Sequence, residues 1–307
     1  MGGCPEGGLG PGGILVSAPS LLGCGARQLT SPRYHLPMSL HAAVRTQLLE
    51  QLGTPPAGGL EVTQLNNALR LLSKWRSVLI QNTLLKQHGT LVMQGPLKGL
   101  DFLPQSAEGC HIAKLLGCYE QPLQPYIEKA INKGYNTVLN IGCAEGYYAV
   151  GMARRMSDTR VLAYDLNPTA QQTCSELAAK NGVASHVSVG ALFTPEDFAA
   201  HAQPGQRTLV LCDIEGAEQA LLNPTIAPAL VGMDLIVESH ECLQAGITAT
   251  LLERFGPTHA ITVVHDDGQR QLQDPPPWFC NLAHLDQLLA AWEWRSGPTP
   301  WLVMRAR

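Results

Sequence analysis

Charge is sparse in this 307-residue chain, and one sign does not dominate: 25 acidic against 21 basic residues leave a net charge of −4. A nucleic-acid binder needs a cationic footprint to neutralise phosphates, so tRNA, rRNA and DNA are disfavoured as partners. Long apolar runs are missing too, and none approaches the roughly 20 residues of a membrane span. The nine cysteines never fall into a C-x-x-C pair. That excludes a zinc knuckle and predicts buried or incidental thiols in a reducing cytoplasm. No internal repeat is evident. The length suits one large α/β domain with an appendage.

What is present is concentrated between Thr137 and Asp165. The β-forming run Thr137-Val138-Leu139-Asn140-Ile141 stops at Gly142. A small-residue loop, Cys143-Ala144-Glu145, follows, and Gly146 opens a helical pattern. A strand, a glycine turn and a helix N-terminus let backbone N–H groups approach a nucleotide-like ligand. A second strand, Arg160 to Tyr164, ends in Asp165, about twenty residues past the loop, where a carboxylate can accept both hydroxyls of a ribose. The dinucleotide pattern G-x-G-x-x-G is absent. Ala144 stands where its second glycine belongs and Tyr147 lies beside Gly146, which weakens an NAD-dependent oxidoreductase as the alternative.

Further strands are predicted at His186–Val189, Thr208–Cys212 and Asp234–Val237, with a helix from Pro168 to Asn181. Proline suits the first turn of that helix and Asn181-Gly182 its stop. Thr208–Cys212 is a near-continuous apolar run of the kind buried on both faces of a parallel sheet. Ala260–His265 and Trp301–Met304 are expected as a hairpin-like antiparallel pair at the sheet edge. Polar residues cluster after the strands, at Asp213-Ile214-Glu215-Gly216-Ala217-Glu218 and Glu238-Ser239-His240-Glu241. Open α/β sheets bind ligands at those carboxyl ends.

The loop from Gly142 to Tyr148 resembles the first motif of class I S-adenosylmethionine-dependent methyltransferases. Asp213-Ile214-Glu215-Gly216-Ala217-Glu218 and Glu238-Ser239-His240 resemble the FkbM-like group within them, best known for O-methylation of sugars and secondary metabolites. The likeness spans about residues 95 to 265. It departs at Asn140, where the motif often carries an acid, and at Ala144, which replaces a common glycine. The resemblance implies a Rossmann-like seven-stranded α/β sheet, S-adenosyl-L-methionine as cofactor, and a small-molecule or glycan acceptor methylated on a hydroxyl. It implies cofactor contacts from Asn140, Gly142, Ala144, Glu145, Gly146 and Asp165. A non-catalytic domain on the same fold is the other alternative, since fold does not prove activity.

For the chemistry, His240, Asp213 and Glu215 are the catalytic candidates, with His240 suited by its ordinary pKa to take a proton from a hydroxyl. A divalent cation such as Mg²⁺ held by Asp213, Glu238 and His240 would do the same work by lowering the pKa of the acceptor. The plainer reading makes Asp213 a helix cap, with Glu215 and Glu218 facing a helix dipole. Tyr119, Glu120 and His111 are further candidates in the segment before the first strand, Glu120 with an alternative as a capping acid. The loop Asp274–Phe279 is expected either to border an acceptor pocket or to be a rigid surface connection, and Trp292 and Trp294 are expected as packing residues.

Residues 1–37 are glycine-rich and proline-punctuated, without apolar periodicity or basic residues ahead of the short run Ile14–Leu22. They are expected to be a disordered leader, or to precede a true start at Met38. Residues 38–94 carry helical spacing, interrupted at Gly53 to Gly59, and are expected as a helical N-terminal cap. Residues 95–307 are expected as the methyltransferase domain.

Overall fold

The computed structural model describes residues 39–53, 61–104, 110–295 and 297–307. The expectation for residues 1–37 lies outside these. The chain divides at Leu71 into two compact units. The first holds α1 (Leu40–Leu52), capped by Ser39, whose hydroxyl accepts from the Ala42 N–H. It also holds the start of α2 (Val62–His88), which crosses the division.

The second unit is a seven-stranded sheet with helices on both faces. Its strands are β1 (Thr137–Ile141), β2 (Arg160–Tyr164), β3 (Val187–Gly190), β4 (Thr208–Cys212), β5 (Asp234–Glu238), β6 (His259–Val264) and β7 (Trp301–Ala306). The order is β3-β2-β1-β4-β5-β7-β6, with β7 antiparallel to both neighbours and the other pairs parallel. The remaining helices are α3 (His111–Leu116), α4 (Gln124–Lys133), α5 (Tyr147–Arg155), α6 (Pro168–Lys180), α7 (Glu218–Leu221), α8 (Ile247–Phe255), α9 (Pro277–Cys280) and α10 (His284–Ala291).

Every residue of β1, β4 and β5 is buried, the polar Asn140, Asp234 and Glu238 among them, as the largely apolar runs favour. Two apolar clusters cover the two faces of the sheet. One includes Val138, Val150, Leu177 and Val303; the other includes Leu139, Val210, Leu235 and Leu251. Helix α6 begins and ends as its sequence demands, with the Asn167 side chain capping Thr169 N–H and Pro168 at the first position.

The expected antiparallel pair lies at the sheet edge, with β7 inserted between β5 and β6 and β6 outermost. The burial patterns give the reason: Trp301 to Met304 are all buried, whereas β6 alternates and exposes Ala260 and Thr262. A strand apolar on both faces belongs inside a sheet, and an alternating one tolerates the rim.

Candidate active site

The loop after β1 is held by close backbone approach. Gly142 has φ 78°, and a Cβ there would lie 1.6 Å from the carbonyl oxygen of Asp213. Only glycine permits this meeting of the β1 loop with the end of β4. Gly146 caps α5 with φ 92°, and a side chain there would strike the Cys174 sulfur. Ala144 between them also sits in the left-handed region, at φ 45°. Ala144→Gly is therefore expected to raise stability by about 0.5–1 kcal/mol, the strain released less the extra chain entropy of glycine. Denaturant melts check this, and unchanged or lower stability would show that the methyl group is needed for packing.

Asp165, half-buried at the end of β2, accepts from Ala144 N–H at 2.9 Å through one carboxylate oxygen and from Asn167 N–H at 2.8 Å through the other. It ties the glycine loop to β2 and presents its remaining lone pairs outward. The ladder from β2 to β3 ends at Tyr164 and Gly190, and just beyond it Leu166 and Leu192 are 72% and 63% exposed. Both leucines thus follow the carboxyl ends of neighbouring strands, on the same end of the sheet as Asp165. Sequence reasoning passed over them, because a single leucine in a loop carries no signal until the strands are paired. Asn140 lies inside β1; its Oδ1 is buried without a donor among the described residues. Glu145 faces inward: its carboxylate is fully buried on the Lys114 ammonium of α3, at 2.6 Å. Phe102, Tyr119 and Tyr147 surround that ammonium. Lys114→Met would leave the acid buried without this cation and is expected to cost ~3–5 kcal/mol in urea unfolding. A loss under about 1 kcal/mol, the level of a surface pair, would mean that water reaches the acid.

At the ends of β4 and β5 the polar residues converge. His240 is buried and donates from Nδ1 to Oε1 of Glu218 at 2.7 Å. Its Nε2 faces Asp213 Oδ1 at 3.4 Å and Glu215 Oε2 at 3.5 Å. Burial works against a charge on His240, but the Glu218 hydrogen bond and the nearby Glu238, Glu218 and Glu215 carboxylates outweigh it, and the pKa is raised. Burial, reinforced by Glu238 and Glu120, holds the Asp213 carboxyl well above the usual carboxylate range. Asp213 is not a helix cap: α7 starts only at Glu218, with Ala217 as its cap. Glu215, 74% exposed in its side chain, stands on a left-handed backbone at φ 53°. Glu241 closes the next turn by accepting from Gly246 and Thr248 N–H.

The expected metal set of Asp213, Glu238 and His240 is not the one brought together. Asp213, Glu218 and His240 offer ligand atoms within 4.8 Å of one another. Glu238 lies against Asp213 and pairs with Arg295, which also binds Glu120 at 2.8 Å and Glu293 at 3.1 Å. Glu120 is buried at φ 48°, accepts from the Tyr148 hydroxyl, and its pKa is raised to about 8 by burial and then by Glu238. Arg270 binds Glu293 at 2.6 Å and Asp266 at 2.6 Å. Beside Arg295 opens a cavity of about 330 Å³ lined by His265, Arg270, Trp292, Glu293 and Pro300, among others. Arg295, Arg270 and Glu293 went unrecognised in the sequence because they lie in no motif; only the insertion of β7 carries them to the end of β5. His111 donates to the Leu103 carbonyl at 2.7 Å, and burial lowers its pKa to about 4. It is a neutral packing histidine. The Asp274–Phe279 loop does not line the cavity; it hangs on Gln94, with Trp278 against His88. Trp292 and Trp294 pack together, ring centroids 6.4 Å apart.

A sheet ordered 3-2-1-4-5-7-6 with only its last strand reversed decides the architecture. The fold is that of the class I methyltransferases. No family profile matches the chain, and no curated protein matches it by sequence. Solved methyltransferases do resemble it. The O-methyltransferase TomG from Streptomyces achromogenes, solved with its SAM cofactor, is 14% identical over 61% of this chain and 79% of its own, with a TM-score of 0.42. Precorrin-6y C5,15-methyltransferase from Geobacter metallireducens is 12% identical over 60% of this chain and 89% of its own, with a TM-score of 0.39. The assignment of the methyltransferase fold rests on the strand order itself.

Proposed function

We propose that the chain is an S-adenosylmethionine-dependent methyltransferase of the FkbM-like type that methylates a hydroxyl of a small-molecule or glycan acceptor in the cytoplasm. The observation that carries this reading is the meeting of three groups at one end of the sheet. These are the glycine loop with Asp165, the Glu218–His240 pair, and the cavity beside Arg295.

The residues present fit the cofactor. Asp165 would hold the ribose, with Leu166 and Leu192 against the adenine. The N–H groups of the first turn of α5, which have no acceptor within the helix, would meet the amino-acid end, since those of Gly142, Cys143, Ala144 and Gly146 are already bonded to Tyr164, Asp165 and Cys143. Ala144 leaves less clearance than a pyrophosphate needs, which favours this ligand over NAD. The cofactor supplies a methyl group on a sulfonium, ready for displacement.

The work left to the protein is positioning and proton removal. Glu218 fixes the His240 ring by accepting the hydrogen bond from Nδ1–H, so that Nε2 is the nitrogen open to an acceptor hydroxyl. Asp213 and Glu215 flank that nitrogen and orient the hydroxyl. The acceptor body would extend past Glu238 into the cavity beside Arg295, whose size suits a small-molecule site. The thiols of Cys110, Cys118, Cys143, Cys174 and Cys212 are all unpaired and buried, which supports a reducing compartment. No described helix is long and apolar enough to cross a membrane. Calorimetric titration with S-adenosylmethionine, S-adenosylhomocysteine and NAD tests the reading. Binding of the first two and not the third is expected; binding of NAD alone would replace this function with hydride transfer.

A further inference from the structure

We propose that Glu120, Asp213 and Glu238 form a cation subsite that reads the charge on the donor sulfur, so that the protein holds S-adenosylmethionine more tightly than S-adenosylhomocysteine. The inference rests on the donor assignment above and assigns these carboxylates a task beyond it.

The strand order gives the geometry. A ligand with its ribose at the end of β2 and its amino-acid end on the β1 loop runs toward β4. Gly142 of that loop abuts the Asp213 carbonyl. The donor sulfur would therefore stand beside the ends of β4 and β5, where Asp213 and Glu238 lie, with Glu120 reaching in from the segment before α4. The region holds more carboxyl groups than cations, and the crowding hinders ionisation of Asp213 and Glu120. Arg295 is shared among Glu120, Glu238, Glu293 and Asp266, and Arg270 is taken up by Glu293 and Asp266. Among the described residues no lysine or arginine pairs with Asp213, whose side chain lies against His240 and shares a hydrogen bond with Glu238.

A second observation points the same way. Glu218 is fully buried and its Oε2 has no donor among the described residues, on a carboxylate grouped with Asp213 and His240. Buried carboxylates in excess of their counter-cations are unfavourable until a positive charge arrives. S-adenosylmethionine brings one at its sulfonium. S-adenosylhomocysteine differs only by lacking the methyl group and that charge. Discrimination would clear the product once the methyl group has left.

The test is calorimetry on the full chain, in buffer with chelator so that no dissolved divalent ion occupies the carboxylates. The probes are S-adenosylmethionine, S-adenosylhomocysteine and sinefungin, which carries an ammonium where the sulfonium would be. The two cationic ligands are expected to bind roughly ten- to a hundredfold tighter than S-adenosylhomocysteine, the scale of one charge interaction in a partly dry site. Glu120→Gln and Glu238→Gln, which keep the side-chain shape, should bring that ratio toward one and leave S-adenosylhomocysteine affinity nearly unchanged. Equal binding of all three by the unaltered protein overturns the subsite and leaves the donor assignment intact. Equal weakening of all three by the substitutions shows a structural role and also overturns it. Binding of none overturns the donor assignment and the subsite together.

Discussion

His240→Ala is expected to lower turnover by ~10²–10⁴-fold, the range for loss of a general acid–base group, with cofactor affinity near normal. The buried Glu218 carboxylate fixes the ring, so Glu218→Gln should also slow the reaction by loosening the tautomer. A base must be neutral to act. Because the surrounding carboxylates raise its pKa, the rate should rise with pH through a group titrating above the ordinary 6.5, and His240→Ala should remove that rise. Chelator separates this base from a metal ion. If Asp213, Glu218 and His240 held Mg²⁺ or Mn²⁺, chelator would abolish turnover, the ion would restore it, and Asp213→Ala would be as damaging as His240→Ala. We expect chelator to have little effect. Activity that survives both His240→Ala and chelation would leave catalysis to positioning alone.

Asp165→Ala is expected to weaken S-adenosylhomocysteine binding by tens to a few hundredfold, from loss of charge-assisted hydrogen bonds worth about 2–3 kcal/mol. Asp165 also fastens Ala144 and Asn167 N–H, so the substitution frees the glycine loop as well as removing the ribose partner. Asp165→Asn distinguishes the two contributions. It keeps one acceptor oxygen for the loop and loses the carboxylate charge, and an intermediate affinity is expected. Unchanged calorimetric affinity in Asp165→Ala would defeat the placement of the ribose.

The strands, their burial and the glycine loop were legible because each rests on local chemistry. Predominantly apolar runs at Thr137–Ile141, Thr208–Cys212 and Asp234–Val237 belong in the buried centre of a sheet, and that is where they lie. Gly142 and Gly146 are required by positive φ and by close approach, constraints that a sequence displays directly. His240 with Asp213 and Glu215 was legible as a strand-end cluster. The partner that orients the ring was not, since Glu218 reads equally well as a first-turn acid. Glu238 does lie beside Asp213 and His240, but its pairing with Arg295 was not legible, because a sequence does not say which of several nearby acids an arginine will take.

The sequence by itself determined the α/β class, the nucleotide-type loop, the carboxylate at the end of β2 and the polar strand ends, since each follows from short-range periodicity and turn chemistry. The tertiary structure alone decided the insertion of β7 between β5 and β6. With it came the arrival of Arg295 and Glu293 beside Glu120 and Glu238, and the surplus of buried carboxylates next to the glycine loop. Those contacts join residues more than fifty positions apart, Arg295 to Glu238 and Arg295 to Glu120 among them. Charge pairing at such separations depends on how whole strands pack, and no local pattern encodes it.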